Sequence, residues 1–302
     1  MDQGASDLSN ALAGAVEAAA ESVVRVEGRA RGASSGTVWS ADGVVLTAHH
    51  SLDWDEDVRV GLADGRSLEA TVLGRDPGTD IALLRVSASG LKPVVWRDDA
   101  PRAGQIVLHL SRPGRAVRAR LGIASAVSGP WRTRAGGRLD RYLEADVALE
   151  RGFSGGLFVD ASGRGLGLAN AGLMRATPLA IPPATLRRVA EQVVAHGRVR
   201  RGFLGIGSYP VALPAALAES EGQRSGLMLV SVQDGTPAAE AGLLLGDVIL
   251  KVDGHVIAHP SDLLPFVDED RVGTEVSVRV LRAGAPLEAR VKVGQRNGQE
   301  AA

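Results

Sequence analysis

Gly36-Thr37-Val38-Trp39-Ser40-Ala41-Asp42-Gly43-Val44-Val45-Leu46 decides the fold class. Two short apolar runs flank an Ala-Asp-Gly turn. Asp-Gly between such runs is a strong hairpin signal, because a tight hairpin turn needs positive φ. The device recurs at residues 58–62, the Asp64-Gly65 turn and residues 68–73. Before it, Val23-Val24-Arg25-Val26 reads as a strand. After it come short apolar runs at 81–86, 106–110, 122–127 and 157–159. Short strands at regular spacing with turns between them predict an all-β barrel or sandwich.

The composition fits that reading. The chain has 302 residues, 45% hydrophobic and 23% charged. That length suggests two or three soluble domains. Aromatics are only 3%, so the cores must be built from Val, Leu, Ile and Ala. Lys+Arg is 34 against Asp+Glu 35, a net charge of -1, which argues against a nucleic-acid-coating protein. Cysteine is absent, which excludes thiol nucleophiles, disulfides and thiolate metal sites. No apolar run reaches the ~20 residues of a membrane span. No basic residue precedes Arg25, so no export signal is read, and the expectation for the chain as given is cytoplasmic.

Residues 183–196 carry Leu186, Val189, Val193 and Val194 near helical spacing, with Gly197 as a stop. A helix there marks a domain end. The expected division is an N-terminal segment 1–21, with a short frayed helix over 11–20, then a β domain 22–198. A second unit 203–295 follows, with strands at 203–206, 227–232, 248–252, 276–281 and 287–293 and short helices at 237–241 and 261–267. Residues 296–302 are expected to be a disordered tail.

The sharpest chemical signal is Gly152-Phe153-Ser154-Gly155-Gly156. A Ser at a tight glycine turn can present its hydroxyl outward. Its own backbone N–H and that of Gly152 can then point into one pocket, where paired donors stabilise an oxyanion. A plain Gly-rich hairpin loop is the competing reading. A serine nucleophile needs a base, and Thr47-Ala48-His49-His50 stands at the end of a strand. Asp80 enters the apolar run Ile81-Ala82-Leu83-Leu84. A carboxylate there is costly to bury unless hydrogen-bonded, so it is a candidate to orient an imidazole. His, Asp and Ser occur in the chain order of the chymotrypsin-type triad. No metal-ligand spacing and no phosphate-cradling loop is present, so no cofactor is expected.

Over residues 22–295 the chain resembles the HtrA (Deg) family of serine proteases. The matching stretches are Asp42-Gly43-Val44-Val45-Leu46-Thr47-Ala48-His49-His50, Arg75-Asp76-Pro77-Gly78-Thr79-Asp80-Ile81-Ala82-Leu83-Leu84 and Gly152-Phe153-Ser154-Gly155-Gly156. Distally they are Arg201-Gly202-Phe203-Leu204-Gly205-Ile206, Gly235-Thr236-Pro237-Ala238-Ala239 and Gly246-Asp247-Val248-Ile249-Leu250. The resemblance implies a mainly β fold: a trypsin-like double antiparallel β-barrel followed by a small α+β PDZ domain. It implies His50, Asp80 and Ser154 as the triad, because the family pattern ends Thr-x-x-His, and Gly152 and Ser154 as oxyanion donors. Leu168, Ala169 and Asn170 fall where the family lines its specificity pocket. No Asp suits the base of that pocket, so small or medium aliphatic side chains are the expected preference. Phe203, Leu204, Gly205 and Ile206 fall on the PDZ carboxylate-binding loop, and Leu263, Leu264 and Val267 could line its groove. Their competing reading is ordinary helix packing.

The implied partners are unfolded or misfolded proteins, C-terminal peptides and a homotrimer, with no nucleic acid and no membrane span. The family mostly works in the cell envelope or in organelles. Several residues depart from its pattern. Phe153 replaces Asn, Glu150-Arg151 replaces Asn-Pro, Leu157 replaces Pro, and Ser111-Arg112-Pro113 replaces Gly-Asn-Pro. The family's N-terminal aromatics, which build its trimer, are missing from residues 1–38. Two readings follow: an ATP-independent protein quality-control endopeptidase regulated by its PDZ domain, or a catalytically weak chaperone or scaffold with an impaired oxyanion loop.

Overall fold

The computed structural model describes residues 3–30 and 32–295, so the tail expected at 296–302 lies outside the described residues. The chain divides into two compact units, 1–199 and 200–302. The first opens with helix α1 (Gln3–Ala20). Its opening barrel is β1 (Val23–Glu27), β2 (Ser34–Val38), β3 (Val44–Ala48), β4 (Val58–Gly61), β5 (Ser67–Asp76) and β6 (Ile81–Val86), closed in the order β1-β2-β3-β6-β5-β4. Then come β7 (Ile106–Ser111), β8 (Arg118–Ser128) and a small hairpin of β9 (Trp131–Arg132) and β10 (Arg138–Leu139). They are followed by β11 (Tyr142–Ala145), β12 (Leu157–Val159), β13 (Gly165–Asn170) and β14 (Leu179–Ile181). The second barrel closes as β11-β14-β13-β12-β7-β8, and α2 (Pro183–His196) ends the unit. The expected double barrel is therefore what the chain forms.

Strand periodicity explains how the barrels join. Successive side chains of a strand point to opposite faces. In β3, Val45 fills the first barrel's interior, while Val44 and Leu46 face outward into a separate core. In β6, Ala82 and Leu84 go inward and Ile81 and Leu83 outward. The outward residues meet Leu168 and Ile181 of the second barrel and Leu186, Val189 and Val193 of α2. Such strands are buried on both faces, and so they read as unbroken apolar runs rather than alternating ones.

Helix α1 is longer than the frayed helix expected at 11–20, and it is packed. Ala15 and Ala19, one turn apart, are buried against Leu108, Leu110, Leu157 and Val159. Their small side chains permit close approach: a Cβ at Gly163 would lie 2.8 Å from the Ala15 carbonyl. The buried Arg112 fastens the helix's exit. Its guanidinium donates to the carbonyls of Ala20 (2.8 Å), Val23 (2.6 Å) and Arg115 (2.6 Å).

The second unit has β15 (Gly202–Phe203), β16 (Ile206–Ala212), α3 (Ala215–Glu221), β17 (Ser225–Val232), α4 (Pro237–Glu240), β18 (Val248–Val252) and β19 (His255–Val256). A 3₁₀ helix (Pro260–Val267), β20 (Glu275–Arg282), β21 (Ala285–Lys292) and β22 (Gly294–Gln295) complete it. The sheet order β16-β17-β18-β20-β21 leaves the outer edge of β16 without a strand partner. The helix expected at 261–267 is 3₁₀, and its inner Pro265 lacks the N–H that would bond the Ser261 carbonyl in an α-helix.

Candidate active site

The β3–β6 ladder pairs Ala48 with Ile81. The residues just beyond each strand, His49 and His50 on one side and Asp80 on the other, therefore meet at one end of the first barrel. Asp80 has φ 58°, in the left-handed region that Asp tolerates better than most residues. That conformation lets both ends of Asp80 serve the histidines. Its carbonyl accepts the His49 N–H (3.1 Å), its Oδ1 accepts the His50 N–H (2.8 Å), and its Oδ2 lies 2.5 Å from His50 Nδ1. Asn170 Nδ2 donates to the same Oδ2 at 2.8 Å. Burial pushes the Asp80 carboxyl up, but the bonds from His50 and Asn170 outweigh it and hold the group below its ordinary range. It is thus an anion at neutral pH. His49 points elsewhere: its Nδ1 lies 3.4 Å from Arg75, and burial followed by that cation lowers its pKa.

Ser154 stands on a turn before β12 of the second barrel. The Phe153 N–H donates to the Glu150 carbonyl (3.1 Å), closing a β-turn whose third residue, Gly152, has φ +82°. A type II turn needs Gly there. First-barrel residues clamp the turn from the far side. Ser35 Oγ donates to the Gly152 carbonyl (2.6 Å), Thr37 Oγ1 to the Gly155 carbonyl (3.1 Å), and the Ser35 N–H to the Ser154 carbonyl (3.2 Å). With those groups spent, the N–H groups of Gly152 and Ser154 have no hydrogen-bond partner among the described residues. Both residues line an open cleft of about 340 Å³ together with His50 and Ala171, and the Ala171 N–H donates to Ser154 Oγ (3.1 Å). A hydroxyl, an imidazole oriented by a carboxylate and two free N–H donors thus share one cleft. That is the set needed for acyl transfer.

The departures around this turn are accommodated by one another. Phe153 is buried, its ring stacked 4.0 Å from that of His109 and edge-on to Phe158 at 5.8 Å. Glu150 pairs with Arg120 (2.6 Å), and its same oxygen lies 3.7 Å from Arg118. The hydrogen bond from Arg120 holds its carboxyl below the ordinary range. A Cβ at Gly152 would lie 2.4 Å from the Pro113 side chain.

His109 is fully buried, and burial lowers its pKa to about 4. An unfolded imidazole titrates at 6.5, so between the two values only the unfolded chain binds the proton. The stability this neutral imidazole contributes is intact above about pH 6.5 and falls by about 3 kcal/mol on reaching pH 4. Urea unfolding at both pH values should show that loss, and it should be smaller in His109→Phe.

Two sequence expectations need correcting. Leu168 and Ala169 do not line the cleft: both are fully buried, one in the core between barrels and the other inside the second barrel. The strand β13 is enclosed on both faces, and the chain reaches the cleft only at Ala171. Asn170 is also buried, and it orients Asp80 while its Oδ1 accepts the N–H groups of Gly172 (2.8 Å) and Leu173 (2.9 Å). In the second unit, the Leu263 side chain belongs to the hydrophobic core and not to a groove, and the Leu204 side chain joins the same core while its backbone stays on the loop. Leu264 is half-buried; Ile206 and Val267, also half-buried, lean on that core. Phe203 is half-buried, and Gly205 has φ +82° with no room for a Cβ against Thr236. The N–H groups of Leu204 and Gly205 have no partner among the described residues. Among those residues no group of three or more His, Asp or Glu could hold a metal ion, and no helix is long and apolar enough to cross a membrane.

Comparison with known proteins agrees with this architecture. The trypsin-like peptidase domain pattern matches residues 34–168, and the PDZ domain pattern matches residues 203–293. The probable periplasmic serine endoprotease DegP-like of Brucella suis is 33% identical over 268 residues, covering 86% of this chain and 52% of its own length. This chain thus spans about half the length of such curated relatives. The putative serine protease HhoB of Synechocystis is 31% identical, with 88% of this chain and 67% of its own length covered. Among solved structures, the HtrA-type protease AlgW with a tripeptide superimposes with TM-score 0.74 at 32% identity, covering 96% of this chain and 98% of that one. The serine endoprotease from Yersinia pestis gives TM-score 0.75 at 29% identity, covering 95% and 98%.

Proposed function

Because the chain belongs to the HtrA-type serine proteases, with a trypsin-like peptidase domain and a PDZ domain, we propose that it is an ATP-independent endopeptidase of unfolded or misfolded proteins. One observation carries the reading: His50, held by Asp80, shares a cleft with Ser154 and with two unpaired backbone N–H donors. In the proposed mechanism His50 takes the Ser154 proton as the hydroxyl attacks the scissile carbonyl. Asp80 keeps the imidazole's Nδ1 protonated, leaving Nε2 as the base, and stabilises the imidazolium that forms. The N–H groups of Gly152 and Ser154 receive the developing oxyanion. His50 then returns the proton to the leaving amine, and water repeats the sequence on the acyl-enzyme.

Glu150 is the acidic residue lining the cleft, and Arg120 already occupies it. A substrate cation therefore meets a carboxylate already paired with arginine through Oε2 and buried at Oε1, which supports cleavage after small or medium aliphatic residues. The PDZ unit would take a C-terminal peptide as an added strand on the open edge of β16, its carboxylate meeting the free N–H groups of Leu204 and Gly205. Peptide bound there would regulate proteolysis.

The test uses a fluorophosphonate probe and unfolded casein. The reading expects labelling that maps to Ser154 and casein cleavage that Ser154→Ala lacks. Equal, negligible cleavage by both proteins, across temperatures and added C-terminal peptides, would leave the scaffold reading instead.

A further inference from the structure

We propose that His109 is a positioning residue that aims the Ser154 N–H at the oxyanion. The inference rests on the protease reading and deepens it, since it assigns a role to a buried group outside the triad. His109 lies on β7, paired with Phe158 of β12, directly beneath the Ser154 turn. Its ring stacks on Phe153 at 4.0 Å and 22° between planes, and Phe158 packs at 5.3 Å. Its Nε2 lies 3.2 Å from the Phe153 carbonyl, which also accepts the Gly156 N–H at 3.2 Å. A carbonyl cannot donate, so Nε2 must carry the proton in that contact. The other nitrogen, Nδ1, is buried with no hydrogen-bond partner, as befits an unprotonated position.

The consequence follows from the planarity of the peptide bond. In a trans peptide the C=O and the following N–H point in opposite directions. The Phe153 carbonyl and the Ser154 N–H belong to one such plane. Holding the carbonyl inward on His109 and Gly156 therefore holds the N–H outward, toward the cleft. The preceding plane is pinned in the same way. There the Gly152 carbonyl takes the Ser35 hydroxyl, and the Phe153 N–H takes the Glu150 carbonyl. His109 opposes rotation of the 153–154 plane twice, by the hydrogen bond and by the stack on Phe153. Gly156 leaves room for this approach, since a Cβ there would sit 2.9 Å from His109 Nε2. His109, Phe153 and Phe158 thus form one device in place of the polar residue the family uses before its serine.

The test is steady-state kinetics of the full chain on a fluorogenic peptide with valine before the scissile bond. His109→Phe keeps a stacking ring and loses the donor. It should lower kcat by roughly 10–10²-fold with KM within about two-fold, because a misaimed oxyanion donor weakens the transition state and spares substrate binding. His109→Gln restores an N–H near the Nε2 position and should recover part of that kcat. A kcat for His109→Phe within two-fold of wild type, or a His109→Gln no better than it, overturns the proposal. A second measurement needs no variant: imidazole ¹⁵N shifts of wild type should report the Nε2-protonated tautomer for His109, and the Nδ1-protonated form would overturn the proposal. A wild type without Ser154-dependent turnover overturns the protease reading and this inference with it. Wild-type turnover that is indifferent to His109 overturns this inference alone.

Discussion

Ser154→Ala is expected to reduce turnover of an unfolded protein by on the order of 10⁶-fold, and Asp80→Asn by on the order of 10⁴-fold. The first removes the nucleophile. The second is the more informative, because it preserves shape. Asp80 now accepts from the His50 N–H, from His50 Nδ1 and from Asn170 Nδ2. An Asn there can offer an amide NH₂ to His50 Nδ1, which favours the wrong tautomer and leaves Nε2 protonated and useless as a base. Hydrolysis of a fluorogenic peptide, followed from pH 6 to 9, measures both effects. The neutral-pH loss in Asp80→Asn should be far larger than any fall in the folded fraction, read from thermal unfolding, accounts for. A variant that keeps a tenth of wild-type activity would remove Asp80 from the mechanism.

Gly172→Ala should cost between about 10²-fold, the effect of misplacing a reacting group by an ångström, and the 10⁴-fold lost with the wrong tautomer. Nothing in this glycine's backbone demands glycine, since its φ is not positive. The constraint is space. A Cβ at this position would lie 2.5 Å from His50 Nδ1 and 2.8 Å from Asp80 Oδ2, wedged between the two. Either the imidazole or the carboxylate must move, and the 2.5 Å contact between them opens. Stability should fall by no more than the 1–3 kcal/mol typical of overpacking. The rate of fluorophosphonate labelling, read beside thermal unfolding, separates the two. Labelling at the wild-type rate would show that the site tolerates a methyl group, against this account.

What was legible in the sequence was largely what local pattern encodes. Hairpins with Asp-Gly turns and β-branched runs announced the first barrel. His50 and Asp80 stood out because each adjoins such a run, and the β3–β6 register brings those two ends together. The strand β13 was not read as a strand, since Gly165-Leu166-Gly167-Leu168-Ala169-Asn170 contains no β-branched residue and two glycines. Its burial comes from barrel closure, which no local window contains. Leu168 and Ala169, which the family resemblance places in a pocket, are enclosed by that closure. The resemblance offers Asn170 only as a pocket residue, because its partner Asp80 lies 90 residues away. Phe153 looked like damage to the oxyanion turn because its compensations, His109 and Phe158, are meaningful only once β7 and β12 pair. Arg112 stands out in the sequence only as a departure from the family's Gly-Asn-Pro, because a buried arginine that bonds three carbonyls resembles any surface arginine until the chain is folded.

The hydroxyl clamp of Ser35 on Gly152 spans 117 residues of sequence, and that of Thr37 on Gly155 spans 118. Contacts of such separation are the costliest to close and form late in folding. The oxyanion turn is held by residues of the other barrel, so it is completed after both barrels exist. On the protease reading, a half-folded copy of this chain is a substrate and not yet an enzyme. Competence arrives only with the last long-range contacts.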